Sequence, residues 1–220
     1  RGFGESVCVD KKFSLAAVSD DINALMSYLG IGRAVMVGAS MAGGVLLDML
    51  DRYPQRVAAT CFLSPAMQPS DAVEQVRRFD LAELVREGHR PTAIDNLCER
   101  LLSGEPSEAR RSLTSQLRDW MAVPSDATLA GALASRPRRL SYRDESQLYP
   151  VPTLIVTGAR DRVMPVLKQS GPENGLRHVV NDAGHLINLE APHEINRSLI
   201  GFLQSLSSVK LQHHRLQRVA

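Results

Sequence analysis

Cysteine is scarce in this chain: three residues, Cys8, Cys61 and Cys98, in a sequence of 220. They are odd in number and far apart, so they make neither a disulfide framework nor a metal-ligand spacing, and a reducing, cytoplasmic compartment is the expectation. A dominant charge is lacking too. The 26 basic and 24 acidic residues leave a net +2, too balanced to be the footprint of a nucleic-acid binder. No apolar run approaches the roughly 18 residues of a membrane helix. The opening Arg1-Gly2-Phe3-Gly4 lacks both the basic and the apolar stretch of a signal peptide and does not begin with Met. Internal repeats and low-complexity tracts are missing. His213 and His214 are adjacent, so one helix face cannot present both to a metal, and neither metal nor cofactor is expected.

What is present is ordinary globular material, 44% hydrophobic and 23% charged, enough for a core of normal size. Residues 15–29 place Leu15, Val18, Ile22, Leu25, Met26 and Leu29 at helical spacing, with Ser14 as cap and Gly30 as stop. Residues 34–38 and 57–63 are short apolar runs of the buried-strand kind, with a helix over 41–52 between them. From 70 to 135 the pattern is helical, broken at Gly88, Pro91, Gly104, Pro106 and Pro124. Strand character returns at 153–157 and weakly at 176–180, and a last helix is expected from Pro192 to about Leu206. Short buried strands alternating with helices predict an α/β fold, a mostly parallel sheet with flanking helices and a helical insertion over the C-terminal strand ends. The expected division is core over 1–65, cap over 66–148, core again over 149–207 and a basic tail over 208–220.

Three motifs carry chemistry. Gly38-Ala39-Ser40-Met41-Ala42-Gly43-Gly44 follows a strand and opens a helix. A serine hydroxyl is a poor nucleophile unless a tight turn presents it beside a base. The same turn would aim the Met41 N–H at a developing oxyanion. A phosphate loop is the competing reading, although its lysine and the dinucleotide fingerprint are both missing. Asp161, after the strand 153–157, could orient a histidine, or simply pair with Arg160 or Arg162. His185 follows Asp182-Ala183-Gly184; Asp182 shares its short loop and is poorly placed to orient it. The order Ser40, Asp161, His185, each behind a predicted strand, is the order of one hydrolase fold.

On these residues the chain resembles the α/β-hydrolase family. The likeness extends through Arg1-Gly2-Phe3-Gly4, Tyr28-Leu29-Gly30-Ile31, the Ser40 turn, Arg52-Tyr53-Pro54-Gln55-Arg56-Val57, Val151 to Val156, Gly158 with Asp161, Gly184-His185 and Glu190-Ala191-Pro192. It is similar above all to small esterases, enol-lactonases and cofactor-free haloperoxidases. Dehalogenases and epoxide hydrolases of the fold use an Asp nucleophile, against which Ser40 speaks. The resemblance implies Ser40 as nucleophile, His185 as base, Asp161 as its partner, Met41 as an oxyanion donor, and a small ester or lactone as substrate without cofactor. It also implies that 66–148 is the family's cap. There Leu81, Leu84, Leu97, Leu101, Leu117, Trp120 and Met121 are expected in packing more than at substrate, and Arg77-Arg78, Arg136, Arg138 and Arg139 on a solvated face rather than at a substrate carboxylate.

Two departures stand out. Ala42 replaces the last Gly of the usual G-x-S-x-G. The chain also opens at a point that, by resemblance, follows the fourth strand of the sheet. The expectation is a piece of a longer hydrolase; the alternatives are pairing of two chains through an exposed edge at 34–38, or a non-catalytic remnant acting as an interaction protein.

Overall fold

A computed structural model of the chain describes residues 1–7, 13–66, 72–104, 107–135, 150–164 and 175–216. Cys8, Arg136, Arg138, Arg139 and Arg218 lie outside the described residues. The first helix, α1 (Leu15–Tyr28), starts where Ser14 accepts the Ala17 N–H at 3.1 Å and ends at Gly30, φ +68°. Its buried line is Leu15, Ser19 and Met26, with Ile22 packed beside it. Leu25 and Leu29, expected on that face, are exposed, because the seam against the next helix follows the Ser19 line, where Ser19 Oγ donates within reach of the Leu15 and Val45 carbonyls.

The sheet has four strands among the described residues, β1 (Ala34–Ala39), β2 (Val57–Leu63), β3 (Thr153–Gly158) and β4 (Leu176–Val180), in that spatial order and all parallel. Between β1 and β2 runs α2 (Ala42–Arg52), followed by a single 3-10 turn, Pro54–Arg56. Alternate side chains of a strand point to opposite faces. Phe62 and Ile155 therefore join Met26, Leu46, Met49 and Leu50 on the face covered by α1 and α2. Cys61, Leu63, Leu154 and Val156 join Ile195 and Phe202 on the face covered by the last helix, α8 (Pro192–Leu216). Two arginines fasten the first layer. Arg52 bonds Asp48, Asp20 and the Ala16 carbonyl; Arg56 bonds Asn23, Ser27 and the Ile31 carbonyl. The Asp48 carboxylate, with Asp20 behind it, holds the Arg52 pKa above the usual guanidinium value.

Among the described residues, four helices separate β2 from β3: α3 (Ala72–Arg86), α4 (Arg90–Leu101), α5 (Glu108–Ala122) and α6 (Asp126–Ala134). They carry two apolar clusters, one shared by α3, α4 and α6, the other by α4 and α5 with Leu186 and Leu189 packed against it. The break expected at Gly88 and Pro91 falls between α3 and α4; Pro91 itself sits in the first turn of α4, where its missing N–H costs nothing. Trp120, expected in packing, is 55% exposed. A short helix, α7 (Ile187–Glu190), precedes α8. The helix from Pro192 continues to Leu216, ten residues past the expected Leu206, so much of the predicted tail is helical. No Gly or Pro interrupts 202–216, which leaves the helix nothing to stop on.

Candidate active site

Ser40, Asp161 and His185 stand on the loops that leave β1, β3 and β4, at the C-terminal edge of the parallel sheet. Sequence reasoning named all three, and the fold brings them together. The Ser40 Oγ lies 2.7 Å from His185 Nε2, and His185 Nδ1 lies 2.8 Å from Asp161 Oδ2. An ionised carboxylate can only accept, so Nδ1 carries the proton and Nε2 is left to accept from the Ser40 hydroxyl. Asp161 is itself fixed: its Oδ1 accepts the Val163 and Met164 N–H groups, each at 2.8 Å. The histidine and aspartate side chains are 1% and 0% exposed, so the pair is shielded from water. Arg160, the competing partner for Asp161, pairs instead with exposed Asp182.

The turn at Ser40 follows from its neighbours. Ser40 has φ +50°, in the left-handed region that L side chains rarely adopt. The strain is held by backbone bonds on both sides: Ser40 N–H donates to Leu63 O at 2.9 Å, while its carbonyl accepts from Gly43 and Ala66. Gly38 admits the helix so closely that a Cβ there would stand 2.3 Å from Leu46 Cδ1. Gly43 meets Pro65 in the same way. Ala42, where the usual motif has Gly, is accommodated as the first residue of α2. Met41 caps that helix, and its N–H has no protein acceptor among the described residues.

The histidine loop is set by a second close approach. A Cβ on Gly158 would lie 2.1 Å from Gly184 O and 2.4 Å from Ala183 O. Only a bare backbone lets the Asp161 and His185 loops touch. Ala159 N–H and Arg160 N–H then donate to the Val180 and Ala183 carbonyls. Sequence reasoning quoted Glu190 without giving it a role. Its Oε2 accepts from the Ser103 N–H at 2.8 Å and also from the Ser103 hydroxyl, and its Oε1 accepts from Gly184 N–H at 3.1 Å. The N–H groups of His185 and Leu186 both donate to Leu101 O at the end of α4. The insertion is thus stitched to the loop that carries His185.

Ser40, Met41 and His185 open into a cavity of about 280 Å³. Its walls are mostly apolar, including Leu81, Leu97, Leu101 and Met121 from the insertion. Those four, expected chiefly in packing, line the cavity as well. Arg78, expected on a solvated face, lines it with Glu74 and Arg100. A larger groove of about 510 Å³ lies under the other ends of the strands, against Phe202 and Leu206, and among the described residues its lining holds no charged side chain. Ser40 and His185 line the smaller one. Among the described residues, no cluster of three His, Cys, Asp or Glu side chains could hold a metal ion, and no helix is long and apolar enough to cross a membrane.

Comparison with known proteins bears on the family and the fold. Residues 1–192 match the family described as alpha/beta hydrolase fold. The dihydrolipoyllysine-residue acetyltransferase component of an acetoin cleaving system from Pseudomonas putida is 26% identical over 92% of the chain, which spans 54% of that protein. A thermophilic esterase from Thermogutta terrifontis is 25% identical and superposes with a TM-score of 0.80, covering 94% of this chain and 78% of its own. The enol-lactonase from Burkholderia xenovorans LB400 shares the fold, with a TM-score of 0.77 at 22% identity over 93% of this chain and 78% of that one.

Proposed function

The chain belongs to the α/β-hydrolase fold family, and on that premise we propose that it is a serine hydrolase cleaving a small ester or lactone through Ser40, His185 and Asp161. The observation that carries the proposal is the unbroken relay from Ser40 Oγ through His185 to Asp161, at 2.7 and 2.8 Å.

Each part has one task. His185 Nε2 takes the Ser40 proton as Oγ attacks the carbonyl carbon, which gives a tetrahedral intermediate. The carbonyl oxygen, now negative, faces the Met41 N–H at the N-terminus of α2, where the helix dipole favours an anion. Asp161 keeps the imidazole in the tautomer that accepts at Nε2 and stabilises the imidazolium that follows. The imidazolium returns its proton to the leaving oxygen, and the acyl group stays on Ser40. Water then enters and gives its proton to His185 as its oxygen attacks the acyl carbon; the bond to Oγ breaks, Ser40 takes the proton back from His185, and the acid leaves. In a lactone the leaving oxygen remains tethered, so one hydroxy acid is the product. The apolar insertion helices α3–α6 act as the cap over this reaction, with the core on either side of them. Buried Cys61 and Cys98, both free thiols, accord with a reducing, cytoplasmic setting.

A panel of short-chain esters and lactones tests the reading, with Ser40→Ala as control. Turnover of at least one panel member, lost in the variant, is expected; a folded wild-type chain inert to the whole panel would count against it. The second reading, an interaction protein without catalysis, draws on β1, which among the described residues bonds only to β2 and exposes Val37. On that reading Ser40→Ala changes neither partner binding nor any turnover.

A further inference from the structure

The cavity beside Ser40 is rich in sulfur. Among its described lining residues are three methionines, Met41, Met121 and Met164, of the seven in the chain. All three are half-buried. Met26 and Met49 belong to the core, 6% and 0% exposed, and Met36 packs against their cluster. Met67 lies outside the described residues. A small oxidant entering from solvent therefore meets the cavity methionines before those of the core. Cys61 and Cys98 compete poorly. A thiol reacts with peroxide as its thiolate, and burial pushes the Cys61 thiol up to about 12 and raises that of Cys98.

Met41 differs from the other two in what it is tied to. It follows Ser40 directly, so its backbone is held between the turn at φ +50° and the first turn of α2. Its N–H is the donor that faces the oxyanion in the proposed reaction. Met121 stands near the end of α5 and Met164 on the loop after β3, so either side chain can shift without moving Ser40. The Met41 sulfur lies 3.4 Å from the Ser135 hydroxyl, at the end of α6, and the same hydroxyl lies 2.7 Å from Ala132 O, a stronger acceptor. A thioether suits the cavity, whose walls include Leu81, Leu97, Leu129 and Leu133. A sulfoxide does not: its oxygen is a strong acceptor, and burying it among leucines costs free energy.

We propose that Met41 is a reversible oxidation site, and that its sulfoxide shuts down the chemistry at Ser40. The oxidant is a hydroperoxide. The sulfur lone pair attacks one peroxide oxygen, the O–O bond breaks, and the proton of the transferred oxygen passes to the leaving hydroxide, which departs as water. Sulfur loses two electrons and the peroxide gains them. Methionine sulfoxide reductases, with a thiol as reductant, reverse the change. The added oxygen stands in the space that the acyl group needs, and the strain of accommodating it falls on the turn that carries Ser40 and the Met41 N–H. The control of Ser40 rests on the reading of Ser40 as nucleophile; the oxidation site does not.

The test treats the folded chain with hydrogen peroxide over a time course. Tandem mass spectrometry follows the added oxygen at each methionine. The same samples are assayed for fluorophosphonate labelling of Ser40 and for hydrolysis of 4-nitrophenyl acetate. Sulfoxide should appear at Met41 well before it appears at Met26 and Met49. Both rates should fall in step with it, by about tenfold or more at full conversion. Incubation with the two epimer-specific reductases should restore them. Each variant is compared with its own untreated sample. Met41→Leu should keep its rates through the treatment, whereas Met121→Leu, Met164→Leu and Cys8→Ser should lose theirs as the wild type does. Thermal melts identify a variant that fails to fold, and recovery of the wild type by the reductases does not depend on any variant. Core methionines that oxidise while Met41 does not would overturn the site. Undiminished rates in the Met41 sulfoxide form, Met41→Leu inactivated at the wild-type pace, or no recovery once Met41 is reduced would overturn the control. An untreated chain that neither hydrolyses the ester nor takes the probe overturns Ser40 as nucleophile and the control with it, while the oxidation site stands or falls on the mass spectra.

Discussion

Ser40 pays for its position with backbone strain, φ +50°, where a side chain costs about 1–2 kcal/mol relative to glycine. Ser40→Gly should therefore melt above Ser40→Ala, although both lose the nucleophile; equal melting temperatures would mean that the turn is not strained. Asp161→Asn should leave the fold intact and lower kcat by about 10⁴-fold, since an amide no longer enforces the Nε2-accepting tautomer. Retention of more than a tenth of the activity would show that Asp161 does not orient His185. A buried thiol supplies a pH test. Burial pushes the Cys61 pKa up to about 12, against about 8.5 for a free thiol. The folded chain holds this proton more tightly than the unfolded one. The associated stability is thus intact below about pH 8.5 and is lost as pH rises toward the folded value. Urea midpoints should fall between pH 8.5 and 11 by more in the wild type than in Cys61→Ala. At this scale the sequence was informative. Ser40, Asp161 and His185 were legible because each follows an apolar run. Arg100 and Glu74 were not, because a charged residue in a polar helix looks the same whether it faces water or a cavity.

Elements position these residues through two contacts that no periodicity reveals. The first is the approach of the β3 and β4 loops at Gly158. Gly158→Ala would place a methyl against backbone oxygens rather than a yielding side chain. It should cost about 1–3 kcal/mol by urea unfolding and displace His185, lowering kcat. A variant of wild-type stability and rate would contradict that account. The second is the grip of Glu190 on Ser103 and Gly184, which joins the end of α4 to the histidine loop. Glu190 acts as a positioning residue. Glu190→Gln keeps the shape but can accept through only one oxygen, so kcat should fall about tenfold with KM little changed. A change confined to KM, or to the melting temperature, would assign Glu190 to the cap alone. Strand and helix bounds were readable to within a residue or two at α1, β1, α2, β2 and β3, where buried runs meet Gly, Pro or a cap. The end of α8 was not, because Ser and Gln there neither break nor demand a helix.

For the whole molecule, the parallel sheet and the helices on both faces follow from alternation of apolar strands with helical segments, and these were legible in the order of the runs. The lateral order of the strands was not, since it is decided by which faces pack. The position of the insertion over the site was legible only as a general property of such sheets. That it shares walls with Ser40, and contributes both arginines and Glu74, emerges from the fold. The central claim concerns chemistry that the whole arrangement serves, and a fluorophosphonate probe reads it directly. The folded chain is treated with the probe, and the modified residue is located by peptide mass spectrometry in wild type and in His185→Ala. A single adduct on Ser40 that is lost or slowed at least about 10³-fold without the imidazole is the expected result. An unlabelled Ser40 in a folded sample, or one labelled equally fast without His185, would contradict it.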